Sequence, residues 1–448
     1  MLSNKTTLMQ RKVMFILLDG LGDRPCRELN GLTPLQKADI PSFDFLATNG
    51  MIGRHYPLGP GIPPGSDTAQ LSMLGYDIRT EYPGRGYFEA LGWGVKIEKG
   101  EILFRVNFAT VERDGSNLIV KDRRAGRISG KDAESVASAV AEMDLMNGEI
   151  KAVLEHTLEH RGILILKGSD LVPDVTDVDP HEVGYPVLEP QPLTSSPKAK
   201  KTALALKEFV LKSYEILKDL GVNVERKKSG LLPANIVLPR GAASKLHIPS
   251  FMKKWGFKSA AIAVGPLYKG IAKSVGMKLL EVEGATGLPN SNFKGKIEKG
   301  LSALESGFDF VFVHIKGTDV ASHMKNPELK VKVLERIDDA LESLLDLSAD
   351  YLLLLTGDHT TPCSLGKHSG DPVPLMISGK GIPKDDAGRF DELRCIRGGI
   401  GTVLGKDLMR LVLNYSNRAS EHGLRPKPVE IPYIPKPDQL TPLSLNQW

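Results

Sequence analysis

Residues 13–19 of the chain read VMFILLD, an unbroken apolar run that ends in the carboxylate of Asp19. The same order recurs in FDFVFVHIKGTD, residues 308–319, and in YLLLLTGDH, residues 351–359. Continuous rather than alternating hydrophobicity is typical of strands that are covered on both faces, as in a parallel sheet flanked by helices. Because ligands of open α/β sheets bind where such strands end, the three runs predict a sheet with its chemistry at one edge.

Two stretches between these runs are typical of helices. Lys207–Leu220 is followed by Gly221, a common helix terminator, and Asn326–Leu347 opens on a capping asparagine followed by Pro327. Strands that alternate with helices indicate βαβ units. The predicted fold class is therefore α/β, with a mostly parallel sheet flanked by helices.

The pattern changes over residues 102–186. The segments ILFRVNFATV and GILILKG resemble strands of another sheet, and an Ala-rich helix is predicted between them at Ala133–Met143. Residues that are candidates for binding a metal ion occur at positions 19 and 66 and then not before position 319, so residues 102–186 contain none of these candidates. We therefore expect an inserted α+β cap at 102–186 and a discontinuous core formed by residues 1–101 and 187–448.

Length and composition describe an ordinary globular protein. The 448 residues suffice for two or three domains, and the 41% hydrophobic and 25% charged residues exclude disordered, collagen-like and coiled-coil chains. Lys and Arg number 58 against 54 Asp and Glu, a net charge of +4, and the basic residues do not run together. We therefore expect no nucleic acid and no membrane as partner, whereas a small anionic substrate fits this charge balance.

Further features bear on location and redox state. No apolar run approaches the roughly 18 residues of a membrane helix, and the N-terminal MLSNKTTLMQRK lacks the apolar core of a signal peptide. A cytoplasmic location is expected. The cysteines Cys26, Cys363 and Cys395 are too few and too scattered for a disulfide framework, so reduced thiols are expected. The Pro-rich stretch Arg425–Pro442 predicts an extended tail.

Side chains that commonly bind metals follow the predicted strands. Each one alone is a weak signal, because an Asp at a strand end is often a turn former or the cap of the next helix. Together they supply three carboxylates and three imidazoles, which suits two divalent metals. The candidates are Asp19, Asp319, His323, Asp358, His359 and His368.

The spacing of these candidates sets conditions on the structure. Asp319 and His323 are four residues apart, which puts them on one face if a helix begins there. Asp358 and His359 are neighbours, and neighbours on a strand point to opposite faces, so a shared metal requires the chain to have left the sheet. The alternative for His368 is a loop histidine bonded to the backbone, although the glycines around it indicate a shaped loop.

Ser66 lies in PPGSDTAQLSMLG, where two prolines and a glycine precede a helix-like stretch. The plain interpretation is an N-cap serine. The functional interpretation uses the same geometry, because a helix N-terminus stabilises negative charge and a nearby metal would favour the alkoxide. A nucleophilic serine beside two metals suits phosphoryl or sulfuryl transfer through a covalent intermediate, and the GxSxG motif of serine hydrolases is absent.

Six strings, in this order, resemble the archaeal-type 2,3-bisphosphoglycerate-independent phosphoglycerate mutases of the alkaline phosphatase superfamily. They are LLDGLGDRP, PPGSDTAQLSMLGYD, YPGRGYFEALG, DRRAGRI, HIKGTDVASH and TGDHTTP…KHSGDPVP. Any one fragment would be weak, but the ordered set over about residues 13 to 377 is specific.

The resemblance implies an isomerase that interconverts 3- and 2-phosphoglycerate through a phosphoserine at Ser66. It implies two divalent metal ions (Mn, Zn, Co or Mg) and no 2,3-bisphosphoglycerate. One metal would be held by Asp19, Ser66, Asp358 and His359, and the other by Asp319, His323 and His368. The implied substrate is a small anionic phosphorylated compound, and a homo-oligomer is compatible with the sequence.

Further residues are implied as substrate contacts, because a multiply charged anion needs cationic partners. Those assigned by similarity or proximity are Asp122, Arg123, Arg127, His160, Arg161 and Lys316. The alternative for DRRAGRI is a solvated basic turn. Asp179, Pro180 and His181 resemble a further family element, a cap hinge or contact, but a simple turn is an alternative.

The sequence departs from the family pattern at one point. In the family pattern, the ligand histidine that corresponds to His323 is commonly followed by Asp-Gly. This chain has Met324 and Lys325 at those positions, so the shape of that loop is open. Cys363 lies in the metal loop and is interpreted as a buried small hydrophobe.

Two other functions compete with the mutase. A metal-dependent phosphatase or other phosphoryl transferase would share the metals and the serine and would release free phosphate. A metal-stabilised scaffold without catalysis would have filled coordination shells and no use for the serine.

Overall fold

The computed structural model describes residues 10–346 and 351–419. Its chain divides into two compact units. Unit 1 comprises residues 1–82 and 248–448, within the described ranges, and unit 2 comprises Pro83–His247. The predicted tail Arg425–Pro442 lies outside the described residues.

The described residues contain strands and helices in alternation. In chain order the strands are β1 Lys12–Leu18, β2 Gly50–Tyr56, β3 Ile102–Asp114, β4 Asn117–Asp122, β5 Glu142–Leu145, β6 Ile150–Leu158, β7 Arg161–Lys167, β8 Ile236–Ser244, β9 Ser259–Ile262, β10 Lys278–Leu279, β11 Phe310–Ile315, β12 Tyr351–Thr356, β13 Val373–Gly379 and β14 Gly401–Leu404. The helices are α1 Pro34–Lys37, α2 Pro41–Thr48, α3 Ser66–Met73, α4 Arg85–Trp93, α5 Gly130–Ala139, α6 Pro197–Leu217, α7 Gly221–Lys228, α8 Phe251–Trp255, α9 Pro266–Ser274, α10 Phe293–Glu305, α11 Gly317–His323, α12 Pro327–Leu341, α13 Glu392–Cys395 and α14 Leu408–Tyr415.

Unit 1 is built on an eight-stranded sheet in the order β10-β9-β11-β1-β12-β13-β2-β14. The strand β1 lies between β11 and β12 and pairs with both in parallel, while β13 runs antiparallel to its two neighbours. Every residue from Val13 to Leu18 is fully buried. The α/β fold class and the mostly parallel sheet predicted from the three apolar runs are confirmed.

Unit 2 is built on a separate six-stranded sheet in which the strands run antiparallel. The strand β3 is central, because β7 and β8 pair along its two edges and β4 pairs with its distal end. Helix α6 packs against β8, and α4 packs against β3 and β8. Apolar side chains from both the strands and α6 form one core.

The predicted cap boundaries at 102 and 186 are too narrow. The compact unit begins at Pro83 and ends at His247, because β8 pairs with β3 across more than a hundred residues of sequence. A pairing of this separation has no local sequence signature. The segment 187–247, assigned to the core from sequence, therefore belongs to unit 2.

Helix positions were predicted better than helix ends. Asn326 caps α12 as predicted, since its side chain accepts a hydrogen bond from the backbone N–H of Leu329. Gly221, predicted to end a helix, begins α7 instead, and α6 begins at Pro197, behind the capping Ser196. The helix predicted up to Met143 ends at Ala139. None of the helices in the described ranges has the length and apolar character needed to span a bilayer.

Candidate active site

Three aspartates meet where β11, β1 and β12 end. The parallel registers place Leu18 beside Ile315 and Leu17 beside Thr356, so all three strands finish at one edge of the sheet. Asp19 directly follows β1, Asp319 lies in the first turn of α11, and Asp358 comes two residues after β12. All three are buried.

Asp19 keeps one oxygen free of hydrogen bonds. Its Oδ2 accepts from His314 Nε2 at 3.1 Å and from Lys316 Nζ at 3.2 Å. Its Oδ1 lies 3.2 Å from His359 Nε2 but makes no hydrogen bond of good geometry. Burial raises the pKa of Asp19, but Lys316, His314 and His359 outweigh it and hold that pKa well below the usual value. The carboxylate stays ionised, with a buried lone pair that a cation would satisfy.

Asp319, His323 and His368 form a group suited to a metal. The Asp319 Oδ1 atom lies 3.3 Å from His323 Nε2 and 3.7 Å from His368 Nε2, and the two Nε2 atoms are 3.3 Å apart. The Nδ1 atoms donate to the carbonyl oxygens of Gly366 and Pro64, each at 2.8 Å.

Because carbonyl oxygens only accept, these two bonds place a proton on each Nδ1. In a neutral ring protonated at Nδ1 the Nε2 atom is an acceptor, and two such atoms facing each other and a carboxylate form an arrangement that a divalent cation stabilises. The donor atoms of the three residues all lie within 4.8 Å of one another. His368 is thus both the backbone-bonded histidine and a candidate ligand.

A second group surrounds the Nε2 atom of His359. Asp19 Oδ1 and Ser66 Oγ each lie 3.2 Å from this nitrogen, and Asp358 Oδ1 lies 3.4 Å from it. The chain has left the sheet at this point, because β12 ends at Thr356, which is the condition for Asp358 and His359 to face one site. Donor atoms of Asp19, Asp319 and His359 also fall within 4.8 Å of one another.

The expected division of ligands between the two metals stays a prediction. Asp319 belongs by distance to both groups, so its carboxylate lies between them.

The charges of this cluster favour a cation. Burial, and then the charge of Asp19, raise the pKa of Asp358 to about 7. Burial lowers the pKa of His359, but Asp358 and Asp19 outweigh it and raise that pKa to about 9. Both shifts have one cause, an excess of carboxylates in a buried space. A divalent cation would relieve this excess directly.

Ser66 is the first residue of α3 rather than its N-cap. The cap position belongs to Gly65, and no capping hydrogen bond is made by a side chain there. The N-cap prediction is therefore wrong by one residue. The consequence favours function, because the Ser66 hydroxyl is not used by the helix backbone and instead contacts His359 Nε2.

Several residues that support the ligands were missed from sequence. Gln70 donates to Asp358 Oδ2 at 3.0 Å and lies four residues after Ser66, on the same face of α3, a spacing that could have identified it. Thr361 Oγ1 donates to Asp319 Oδ1 and accepts from His359 Nδ1. Tyr268 has no comparable sequence signal, because it comes from α9, far from the motifs. Lys316, which was predicted, contacts both Asp19 and Asp319.

The loop after His323 has a defined shape. Met324 is exposed, and Lys325 adopts a left-handed conformation with φ of 53°, which a glycine would adopt more easily. Cys363 is buried as expected, with a pKa that burial raises to about 12, and all three cysteines are free.

Three of the predicted substrate residues, Arg127, His160 and Arg161, form a cationic cluster in unit 2. His160 is buried, and its pKa is lowered to about 4 by burial and further by surrounding guanidinium groups. Those groups belong to Arg161, Arg124, Arg127 and Arg240. Sequence reasoning missed Arg240, which directly follows the apolar stretch IVLP at the start of β8.

Asp179 is an ion-pair partner rather than a simple turn residue. It is fully buried and accepts two hydrogen bonds from Arg123, at 2.8 and 2.6 Å, with Arg240 at 3.5 Å. Asp122 accepts from the backbone N–H groups of Arg124 and Gly126, so it closes its own turn. For Asp122 the structure matches the plain alternative of a turn.

The chain is similar to known proteins over nearly its whole length. Residues 47–223 match the family model described as 2,3-bisphosphoglycerate-independent phosphoglycerate mutase. A relative of that name from Pyrococcus furiosus is 43% identical over 419 residues, which covers 92% of this chain and 99% of the relative. One from Methanocaldococcus jannaschii, with the suffix 1, is 42% identical with the same coverage.

Solved structures agree with these matches. A protein from Pyrococcus horikoshii superimposes with a TM-score of 0.78 at 37% identity, covering 93% of this chain and all of that one. A cofactor-independent phosphoglycerate mutase from Thermoplasma acidophilum gives a TM-score of 0.66 at 37% identity, covering 91% of this chain and all of that one.

Proposed function

The chain belongs to the 2,3-bisphosphoglycerate-independent phosphoglycerate mutases and interconverts 3- and 2-phosphoglycerate, and we propose that Ser66 carries the phosphoryl group between the two positions. As the family description states, the reaction needs no 2,3-bisphosphoglycerate. The observation that supports the proposal is the position of the Ser66 hydroxyl. It is buried at the start of α3, 3.2 Å from a histidine that also contacts two aspartates.

Two divalent metals fit the site, which holds a buried oxygen of Asp19 without a hydrogen bond and two facing imidazole nitrogens. One would be held by Asp19, Ser66, Asp358 and His359, and the other by Asp319, His323 and His368. When bound, the metals would neutralise phosphoryl oxygens and favour the alkoxide of the serine. Mixed carboxylate and imidazole ligands admit Mn, Zn, Co or Mg.

The residues of the chain then carry two in-line displacements. Ser66 Oγ attacks the phosphorus of 3-phosphoglycerate, the bond from phosphorus to the C3 oxygen breaks, and that oxygen leaves as the hydroxyl of glycerate. Glycerate reorients, its C2 hydroxyl attacks the phosphoserine, and Ser66 regains its proton as 2-phosphoglycerate forms. The Lys316 ammonium provides a positive charge for a phosphoryl oxygen.

Unit 2 is proposed to bind the substrate through its cationic cluster. Arg123, Arg127, His160 and Arg161 are the contacts proposed, while Asp122 would act by shaping the turn that presents them. Guanidinium groups suit this role, because they bind carboxylate and phosphate in bidentate fashion. Bound substrate has to be shielded from water, since water would hydrolyse the phosphoserine.

The phosphatase alternative is not favoured, because relatives at 42–43% identity over nearly their whole length are named mutases. A scaffold without catalysis does not explain a buried serine hydroxyl among the ligands.

Replacing the nucleophile tests the proposal. Ser66→Ala should lower the formation of 2-phosphoglycerate by at least about a thousandfold, since no other group can take the phosphoryl group. Trapping wild-type protein with 3-phosphoglycerate should label the Ser66 peptide with one phosphoryl group, detected by mass spectrometry.

The matched control is Ser72→Ala, on the same helix, whose hydroxyl donates to the Pro57 carbonyl at 2.8 Å and touches no ligand. It should keep its turnover. Turnover in Ser66→Ala equal to that of the control would refute the phosphoserine.

Three finer expectations remain proposals. Metal analysis of the purified protein identifies the ions and their number. Light scattering tests the homo-oligomer, and cell fractionation tests the cytoplasmic location, which suits an enzyme of phosphorylated metabolites.

A further inference from the structure

The ammonium group of Lys316 has all three of its donors engaged. It donates to Asp19 Oδ2 at 3.2 Å, to Asp319 Oδ2 at 2.8 Å and to the Tyr268 hydroxyl at 2.7 Å. A lysine ammonium offers three N–H groups, so this set completes its hydrogen bonding. Two of the partners are proposed metal ligands, and the third is a neutral residue with no role so far.

These bonds give the two oxygen atoms of each carboxylate different partners. Lys316 binds the Oδ2 atoms of Asp19 and Asp319, whereas their Oδ1 atoms lie 3.2 and 3.3 Å from the Nε2 atoms of His359 and His323. The Oδ1 atoms thus face the imidazoles with which they would share metals. The position of the ammonium decides which oxygen remains available to a cation.

Tyr268 contacts both of the groups that bind Asp19 Oδ2. Its hydroxyl accepts from Lys316, and its ring stacks on His314 with centroids 3.9 Å apart and an interplanar angle of 26°. His314 in turn donates to Asp19 Oδ2 at 3.1 Å. The side chain is 7% exposed, and α9 begins at Pro266, which sets the first turn that carries it.

We propose that Tyr268 is a positioning residue for the mutase reaction. Its hydroxyl holds the Lys316 ammonium on the Oδ2 side of Asp19 and Asp319, which keeps their Oδ1 atoms available to the metals and keeps the positive charge of the ammonium beside the site. This inference rests on the proposed roles of Lys316 and the metals. It goes beyond them by assigning a function to a residue outside the motifs.

Removing only the hydroxyl tests the inference. Tyr268→Phe retains the ring that stacks on His314 and removes the third acceptor of Lys316. The ammonium can then move toward the Oδ1 atoms and compete with a metal. In a calorimetric titration with Mn²⁺ and no substrate, Tyr268→Phe should bind about tenfold more weakly than wild type, the size expected for a residue that orients a metal ligand. Its kcat should fall by a similar factor with little change in KM.

The matched control is Tyr76→Phe in the same unit. Tyr76 is 1% exposed, and its hydroxyl donates to the Pro249 carbonyl at 2.9 Å, away from the ligands. This variant loses an equally buried hydrogen bond, so a general effect of that loss on folding would appear in both proteins. Mn²⁺ affinity and kcat of Tyr76→Phe should equal those of wild type.

A double-mutant cycle shows whether Tyr268 acts through Lys316. In a Lys316→Met background, adding Tyr268→Phe should leave Mn²⁺ affinity and kcat unchanged. An equal further loss in that background would overturn the inference, and so would wild-type Mn²⁺ affinity in the single variant. Failure of the proposed function would give a different result, either turnover in Ser66→Ala or wild-type kcat in Lys316→Met. The Mn²⁺ titration is done without substrate, so its result does not depend on either of these activities.

Discussion

Gly20 occupies a space that admits no side chain. Its φ is 66°, and a Cβ atom there would lie 2.9 Å from both Cα and Cβ of Asp319 and from Thr361 Oγ1. The backbone N–H of the same residue donates to Asp358 Oδ1 at 3.2 Å. Asp19 directly follows β1, and Asp319 belongs to α11. These two residues can approach each other because the residue after Asp19, which packs against Asp319 and Thr361, is a glycine.

Gly20→Ala should therefore damage the site. The left-handed conformation alone costs about 1–2 kcal/mol for alanine, and the close contact with Asp319 adds a displacement of that ligand. We expect a lower free energy of unfolding and Mn²⁺ affinity reduced by about tenfold or more, measured by urea titration and calorimetry.

Gly31→Ala is the control, because Gly31 has φ of 80° but nothing within 4 Å of a built Cβ. It should show only the conformational cost and normal Mn²⁺ affinity. Equal Mn²⁺ affinity in the two variants would contradict the importance of the contact at Gly20.

At the same scale, sequence reasoning identified residues whose signal is local. The six candidate metal ligands follow apolar strands or lie in glycine-rich loops, and Lys316 precedes one of them by three residues. Tyr268 and His314 act through contacts made by tertiary packing, and His314 is hidden inside an apolar strand. Arg240 could not be assigned either, because its partner Asp179 lies 61 residues earlier in the sequence and reaches it at 3.5 Å only through the fold.

At the scale of elements, periodicity predicted which strands are buried but not their order. The strands β1, β11 and β12 are continuous in hydrophobicity because both faces of the sheet are covered. That β1 lies between the other two follows from pairing across some 300 residues, which no local pattern encodes. Their common edge, however, followed from the parallel arrangement and placed the aspartates correctly.

The N-cap of α12 provides a test at this scale. The Asn326 side chain accepts from the Leu329 N–H at 2.9 Å, and α12 packs against α11, which carries Asp319 and His323. Asn326→Ala should lower the free energy of unfolding by about 1 kcal/mol, because a helix N–H loses its partner. Urea titration measures this loss.

Asn326→Asp should retain most of the stability, since an aspartate caps as well as an asparagine. Turnover at saturating metal should be unchanged in both variants, because the cap touches no ligand. A stability of Asn326→Ala equal to wild type would show that the cap hydrogen bond has no net value there.

At the scale of the whole molecule, the chain forms two compact units, and each contains a histidine buried as the neutral ring. His55 in unit 1 is fully buried, its Nε2 donates to the Gly357 carbonyl at 3.0 Å, and burial lowers its pKa to about 4. In unit 2, burial and the nearby arginines lower the pKa of His160 to about 4 as well. We therefore expect the folding stability of both units to fall in acid.

The sign of this effect follows from linkage. Between the unfolded pKa of about 6.5 and a folded pKa of about 4, the unfolded chain binds the proton and the folded chain does not, so stability rises with pH. Each histidine contributes stability that is complete above about pH 6.5 and is lost as the pH falls toward 4. The full loss is about 3.5 kcal/mol for each group at the conversion of roughly 1.4 kcal/mol per pKa unit.

Scanning calorimetry from pH 7.5 to 4.5 tests the expectation one histidine at a time. His55→Gln and His160→Gln should each show a shallower fall of melting temperature with acid than wild type, because the titrating group is gone from one unit while the other retains its own. His247→Gln, at an exposed position, should follow the wild-type slope. If the melting temperature of all three variants fell with acid as steeply as that of wild type, carboxylates rather than these two rings would control the loss of stability in acid.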